Sequence, residues 1–169
     1  DISILATYWK NFMQETIFIC PDAPEKCAVN PNGYQWFDLI DESLEQILSK
    51  SLVAEIKLNQ LIDEVKENLN LDINKLALVG FSQGCMISLQ TGLKRTDQIS
   101  SIIGYSGKII SKDHLKKNIK SKPNIMLMHG DRDEVVNISS FLEAKEFFND
   151  IKYPISSKIF KNCEHRIPT

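Results

Sequence analysis

A serine lies between two glycines at Gly80-Phe81-Ser82-Gln83-Gly84, directly between two apolar runs. A serine hydroxyl attacks a carbonyl carbon effectively only when a nearby base removes its proton. A tight turn from a buried strand into a helix exposes such a hydroxyl and leaves room only for small residues two positions away. The pattern predicts that Ser82 is a nucleophile on this turn, with Gly80 and Gly84 required by the lack of space. The backbone N–H of Gln83 then faces the developing oxyanion. The alternative interpretation is a coincidental pair of glycines in an ordinary strand-to-helix loop.

Three histidines are the candidates for the base. In hydrolases that carry such a turn, the partners follow in the chain order serine, acid, histidine. His165 follows the last apolar run, where the base is expected, and we assign the role to it. His129 precedes the acid and is interpreted as a structural residue at the end of a strand. His114 lies in a lysine-rich segment and is interpreted as a surface residue.

The acid is expected in the segment His-Gly-Asp-Arg-Asp-Glu-Val-Val, residues 129–136, which offers Asp131, Asp133 and Glu134. A carboxylate here would orient the imidazole and stabilise the imidazolium that forms during catalysis. We assign this role to Asp133 and expect Asp131 to cap the tight turn through its own backbone. The alternative is that all three carboxylates only solvate a loop.

Short apolar runs alternate with longer amphipathic ones along the chain. Runs interpreted as buried strands lie at 16–20, 76–81, 101–106 and 124–130, with a weaker one at 156–160. Helices are predicted at 52–69, 85–93 and 139–151, the last with Ser139 as its N-cap. The alternation predicts an α/β fold, a mostly parallel sheet with helices on both faces, in one domain over residues 1–169. Residues 20–38 are predicted to form the one long irregular loop, and such loops are often functional.

Composition excludes several classes of protein. The 169 residues are 43% hydrophobic and 25% charged with a formal net charge of −2, so we expect no nucleic-acid partner. The lysines of residues 112–122 are interpreted as a solvated helix face. No apolar run approaches the length of a membrane span, no signal peptide is recognised, and the cysteines lack metal-site spacing. We predict a cytoplasmic protein with no metal or organic cofactor. A Cys20–Cys27 bridge and a homodimer are left open.

The stretches "GFSQGCMISL", "MHGDRDEVV" and "NPNGYQWFDL" together resemble the phospholipase/carboxylesterase family of α/β-hydrolases, relatives of acyl-protein thioesterases and lysophospholipases. The stretch "PDAPEKCAVNPNGYQWFDL" looks like the bacterial branch. The resemblance implies an α/β-hydrolase fold in which Ser82 is the nucleophile, Asp133 the acid and His165 the base. It also implies that Gln83 donates one oxyanion hydrogen bond and that Trp36 lines the substrate pocket. Phe81 is assigned to the same pocket, whereas on sequence alone Trp36 could equally be a core anchor.

The chain departs from the family's pattern in three respects. Family members begin with a strand that ends in a His-Gly-rich turn and finish with a helix after the histidine, and neither motif is found here. Glu164 and Arg166 flank His165, where the family has small residues. We therefore expect a hydrolase domain that is incomplete at both ends. Two functions follow: a serine carboxylic-ester hydrolase acting on a small ester or thioester, or a non-catalytic hydrolase-fold binding module.

Overall fold

The computed structural model describes residues 2–27, 30–40 and 42–168 and forms a parallel sheet with associated helices. The strands are β1 Glu25–Lys26, β2 Tyr34–Gln35, β3 Ala77–Phe81, β4 Ser101–Tyr105, β5 Asn124–Gly130 and β6 Ser156–Phe160. The helices are α1 Ser3–Trp9, α2 Leu44–Asn68, α3 Gln83–Lys94, α4 Lys112–Asn118 and α5 Ile138–Asp150, with a short 3₁₀ helix at Ile73–Lys75. The predicted α/β class is confirmed.

The central sheet contains four parallel strands in the order β3-β4-β5-β6. All four lie within a residue of the predicted runs. Gly80 pairs with Gly104 and Gly104 with Leu127, so the strands are in register and end at one edge. Parallel strands joined by helices bring residues that follow different strands to the same side of a sheet. Ser82, which follows β3, and Asp133, which follows β5, therefore lie on the same side of the sheet, at the carboxyl ends of the strands.

The prediction of a strand at 16–20 is wrong. These residues lack a backbone ladder to a neighbour, and Ile17 and Ile19 are exposed. An apolar run becomes a strand only when another strand accepts its backbone hydrogen bonds, and the only described partner of β3 is β4. The 20–38 loop is also less irregular than predicted, because β1 and β2 form a short antiparallel pair inside it.

Three helices begin at residues other than those predicted from the sequence, and α3 starts at Gln83 rather than at 85. α2 starts at Leu44 rather than 52, because Ser43 and Gln46 form a capping box in which each side chain accepts the other's backbone N–H. The N-cap of α5 is Asn137, whose side chain accepts from the backbone N–H of Ser139, so the assignment of Ser139 as N-cap is wrong. None of the helices in the described ranges is both long and apolar enough to cross a membrane.

Helix α3 lies in the core of the protein. All nine residues from Cys85 to Leu93 are buried, between α2 on one side and the sheet on the other. α3 and α5 pack on the sheet face that carries Ile102 and Leu127. On the opposite face, Val79, Ile103, Met126 and Met128 are half-buried and belong to neither core cluster, whereas Tyr105 is buried. Among the described residues, helices therefore cover one face of the sheet, whereas the sequence predicted helices on both faces.

Candidate active site

Ser82 occupies the turn between β3 and α3. Its backbone has φ 53° and ψ −116°, a left-handed conformation that is strained for any residue other than glycine. The Ser82 N–H donates to the Tyr105 carbonyl at 2.9 Å, and the Cys85 N–H donates to the Ser82 carbonyl at 3.1 Å. The serine thus leaves the strand and starts the helix without an intervening loop. The predicted strand–turn–helix is present.

Only one of the two glycines around Ser82 is required by the lack of space. A Cβ on Gly80 would lie 2.2 Å from the carbonyl carbon and oxygen of Gly84 and 2.4 Å from the Cys85 nitrogen. A Cβ on Gly84 would meet nothing within 4 Å. The expectation that both positions must be small is therefore wrong for Gly84. The tight turn brings the backbone of α3 against Gly80, whereas a side chain at position 84 would point away from that contact.

Gln83 is the first residue of α3, so its backbone N–H has no acceptor within the helix. No other described residue accepts a hydrogen bond from this N–H. It also lies at the positive end of the helix dipole, which favours negative charge. The side chain has a separate role that the sequence pattern did not predict. Its Nε2 donates to the Phe37 carbonyl at 2.6 Å, and its Oε1 accepts from the Trp36 N–H at 3.0 Å.

Asp133 and His165 are brought together by the fold. The His165 Nδ1 lies 2.8 Å from Oδ2 of Asp133, whose side chain is fully buried, while the His165 side chain keeps 18% exposure. The other oxygen, Oδ1, accepts from the backbone N–H groups of Val135 at 3.0 Å and Val136 at 2.8 Å. Because an ionised carboxylate only accepts, Nδ1 is the donor in this contact, and in a neutral imidazole this leaves a lone pair on Nε2.

The environment of Asp133 favours its charged form. Burial opposes ionisation, but hydrogen bonds from His165, the Val136 backbone and the Ser106 hydroxyl outweigh it and lower the pKa of the carboxyl. A carboxylate that stays ionised can hold an imidazole in one tautomer and stabilise its protonated form. The site therefore has the electrostatic arrangement expected of an acid–histidine pair.

The turn after β5 is capped by Asp133 itself. Oδ1 of Asp133 receives the N–H groups two and three residues ahead, whereas Asp131 is exposed and its backbone N–H donates to the Phe160 carbonyl at 3.0 Å. The expectation that Asp131 caps the turn is wrong, because the side chain that accepts backbone N–H groups here, among the described residues, is that of Asp133. The neighbouring Glu134 is exposed.

Of the two remaining histidines, His129 lies beside the Asp133–His165 pair, with its Nε2 3.5 Å from Oδ2 of Asp133. His129 is buried and donates from Nε2 to the Val136 carbonyl at 2.7 Å, which fits the predicted structural role. His114 is half-buried rather than at the surface, because its Nε2 accepts from the Lys94 ammonium at 3.2 Å. Burial and the Lys94 charge lower the pKa of His114. The prediction of a surface residue is wrong at this position.

The segment that carries His165 approaches the backbone closely at Gly130, a glycine outside the serine turn. The Arg132 N–H donates to the Cys163 carbonyl at 2.9 Å, which fastens residues 163–165 to the end of β5. A Cβ on Gly130 would lie 2.2 Å from that same carbonyl oxygen. Only glycine permits this approach. The glycine of "HGD" is the sequence signal for this contact, although no role was predicted for it above.

Aromatic residues surround the serine turn and the histidine. The Phe81 ring, directly before Ser82, contacts the His165 imidazole with centroids 4.6 Å apart. Trp36 is half-buried and packs against the cluster formed by α2 and α3. The core anchor of its loop is Phe37, which is fully buried and which no sequence pattern singled out. Trp36 thus lies at the margin of the core, with part of its surface exposed.

The Ser82 hydroxyl has no hydrogen bond to His165 in the described part of the chain, and contact between the two segments runs through Phe81. Catalytic hydrogen bonds are often long before substrate binds. Cys85, one helical turn further on, is buried, and burial raises its pKa to about 12 despite a hydrogen bond from the Gly107 backbone. It is therefore no competing nucleophile at neutral pH. Among the described residues, no group of three or more His, Cys, Asp or Glu side chains could hold a metal ion.

Comparisons with known proteins match almost the whole chain. The sequence model of the phospholipase/carboxylesterase family matches residues 2–169. Acyl-protein thioesterase 1 of Saccharomyces cerevisiae is 34% identical over 149 residues, which cover 81% of this chain and 64% of that protein. The chain therefore spans just under two thirds of that relative's length. Acyl-protein thioesterase 1 of Schizosaccharomyces pombe is 28% identical over 175 residues, covering 98% of this chain and 77% of that protein.

A solved structure agrees with the fold as well as with the sequence. The crystal structure of esterase PE8 is 32% identical and superposes with a TM-score of 0.92, covering 98% of this chain and 78% of that one. The predicted α/β-hydrolase fold is confirmed by this similarity. The chain belongs to the phospholipase/carboxylesterase family.

Proposed function

We propose that this chain carries the catalytic site of a serine carboxylic-ester hydrolase, in which Ser82 is the nucleophile, His165 the base and Asp133 the orienting acid. The observation that carries the proposal is the 2.8 Å hydrogen bond between Asp133 and His165. It lies beside a serine in strained backbone at the start of a buried helix. Membership of a family that contains esterases and acyl-protein thioesterases supports the same chemistry.

The reaction proceeds through an acyl-enzyme. Nε2 of His165 takes the Ser82 proton as Oγ attacks the carbonyl carbon, and the free N–H of Gln83 donates to the oxyanion. The ester or thioester bond then breaks as the imidazolium returns its proton to the departing alcohol or thiol. Water attacks the acyl group in the second half, giving a proton to His165. The acid is released and Ser82 recovers its proton from the imidazolium.

The substrate class is a small carboxylic ester or an acyl thioester. Phe81 and Trp36 offer apolar surface next to the serine turn, which suits the hydrocarbon part of such a substrate. We assign both residues to the substrate pocket. Relatives named acyl-protein thioesterases favour the thioester, and esterase PE8 favours the simple ester. A cytoplasmic location, a homodimeric state and a bacterial origin remain predictions from the sequence.

Hydrolysis of p-nitrophenyl acetate by Ser82→Ala tests the assignment. We expect turnover to fall to the background rate, because no other described hydroxyl lies on the turn between β3 and α3 beside the histidine. Ser139→Ala is the matched control, since Ser139 is an exposed serine in the first turn of α5, and it should retain wild-type turnover. A Ser82→Ala protein that hydrolyses the ester like the wild type would refute the mechanism.

A fluorophosphonate probe separates the hydrolase from the non-catalytic alternative. Such probes form a covalent bond only with a serine that a neighbouring base activates. We expect the wild-type chain to be labelled at Ser82 and the Ser82→Ala and His165→Ala variants to remain unlabelled. Failure to label the folded wild-type chain would favour a binding module.

A further inference from the structure

We propose that the side chain of Gln83 is a positioning residue that ties the Trp36 loop to the serine turn and thereby sets the preference among acyl groups. The Trp36 loop is defined as residues 36–40, between β2 and α2. The part of the proposal that concerns acyl preference rests on the proposed hydrolase function, whereas the tether itself does not.

The contact joins parts of the chain that are far apart in sequence. The Gln83 carboxamide donates to the Phe37 carbonyl at 2.6 Å and accepts from the Trp36 N–H at 3.0 Å, across 46 and 47 residues. The partners determine which way the amide faces, because a backbone N–H needs an acceptor and a carbonyl needs a donor. Both polar atoms of the Gln83 amide therefore form hydrogen bonds with the same loop.

The loop needs this partner for its own backbone. The chain bends at Trp36 and Phe37, so these residues form no strand ladder that could satisfy their polar groups. The Phe37 side chain is fully buried and holds the bend against the core. Backbone polar groups without a strand partner are satisfied by side chains or by water, and the two bonds to Gln83 are partly buried. The amide of Gln83 supplies the donor and the acceptor together.

The same residue thus acts at two places around Ser82. Its backbone N–H is available to an oxyanion, and its side chain holds the half-buried Trp36 beside the serine turn. The side chain of Gln83, together with the buried Phe37, therefore fixes the distance between the tryptophan and the nucleophile. Displacement of a substrate-contacting group by about 1 Å can reduce a rate by as much as ~10²-fold. We infer that the tether controls how well bulky acyl groups fit.

Fluorescence can report the tether without any enzymatic activity. The sequence contains only Trp9 and Trp36, so Trp9→Phe leaves Trp36 as the sole tryptophan. In this background, we expect Gln83→Ala to increase acrylamide quenching of Trp36 at least about twofold, as the freed loop exposes the ring. Gln98→Ala is the matched control, because Gln98 also accepts a distant backbone N–H, from Lys122, but lies before β4 at the opposite edge of the sheet.

A second variant keeps the test valid if Gln83→Ala folds poorly. Gln83→Glu has nearly the same shape, and its protonated carboxyl group can still donate to the Phe37 carbonyl, whereas its ionised form cannot. Quenching of Trp36 should therefore be high near about pH 8 and return toward the Gln83 level near about pH 4, below the usual carboxyl pKa. The Gln83 parent should show little change between the two conditions.

Kinetics then test the acyl preference. We expect Gln83→Ala to lower the ratio of kcat/KM for p-nitrophenyl octanoate over p-nitrophenyl acetate by about tenfold, within the range that small displacements produce. Unchanged quenching in both Gln83 variants would overturn the tether. Raised quenching with an unchanged ratio would overturn the control of acyl preference. A folded wild-type chain without Ser82-dependent activity refutes the hydrolase function alone, because the quenching result stands by itself.

Discussion

The two glycines around Ser82 should respond in opposite ways to the same substitution. Sequence patterns treat Gly80 and Gly84 alike, whereas the structure gives them different surroundings. In Gly80→Ala the new methyl would lie 2.2 Å from the carbonyl carbon and oxygen of residue 84, where ordinary contact begins near 3.4 Å. The three atoms nearest to the new methyl are all backbone atoms, so no side chain can rotate to relieve the contact. Residues 82–85 would have to move by about 1 Å.

The magnitude follows from the kind of contact. Insertion of a methyl group into a close-packed site costs typically about 1–3 kcal/mol, and we expect the upper end, about 3 kcal/mol, because only backbone can yield. For a chain of this size that loss corresponds to a decrease in Tm of about 6–12 °C. Gly84→Ala should instead be neutral or raise the free energy of unfolding by up to about 1 kcal/mol. The new methyl meets nothing within 4 Å, and alanine restricts the unfolded chain more than glycine does.

Urea unfolding followed by circular dichroism measures both variants against the wild type. Equal m-values would confirm that the midpoint shift reports stability rather than a change in the unfolded state. The reasoning would be refuted if Gly84→Ala destabilised the protein as much as Gly80→Ala, or if Gly80→Ala unfolded at the wild-type urea concentration. Either result would mean that the turn is not as tight as the Gly80 contact indicates.

Three further predictions concern the histidine segment, the acid and the buried thiol. Gly130→Ala places a methyl 2.2 Å from the Cys163 carbonyl oxygen, so the segment carrying His165 must shift and kcat/KM for p-nitrophenyl acetate should fall roughly 10²-fold; wild-type kinetics would contradict this. The lowered pKa of Asp133 means that its contribution to stability is present above the unfolded-state carboxyl pKa and is lost as pH falls through the lower folded value. As the pH is lowered from about 5 to about 2, the free energy of unfolding measured by urea titration should therefore fall less for Asp133→Asn than for the wild type. Cys85, with its pKa raised to about 12 by burial, should resist Ellman's reagent in the native protein and react only after unfolding, and rapid modification under native conditions would show that the helix is open there.

Most of the sheet could be predicted because β3, β4 and β5 are nearly continuous apolar runs, a pattern typical of strands in a parallel sheet. The run at 16–20 has the same pattern but no strand beside it, and partnering is a property of the whole fold. The start of α2 was different, since the Ser43–Gln46 capping box is written in the sequence, yet the helix was predicted to begin only at 52. The prediction rested on the apolar periodicity after residue 52 and did not include the turns before it.

The local sequence determined the turn at Ser82, since a strand, a small residue and a helix in immediate succession leave the backbone few alternatives. Through the order of the candidates along the chain, it also led to the prediction of Asp133 as the acid and His165 as the base. Only the tertiary structure shows the hydrogen bond between Asp133 and His165 itself, and that Gly80 rather than Gly84 faces backbone. The same is true of the Gln83 side chain and the Trp36 loop. Those contacts join residues that the chain separates and the packing of strands and helices brings within a few ångströms, which no local pattern encodes.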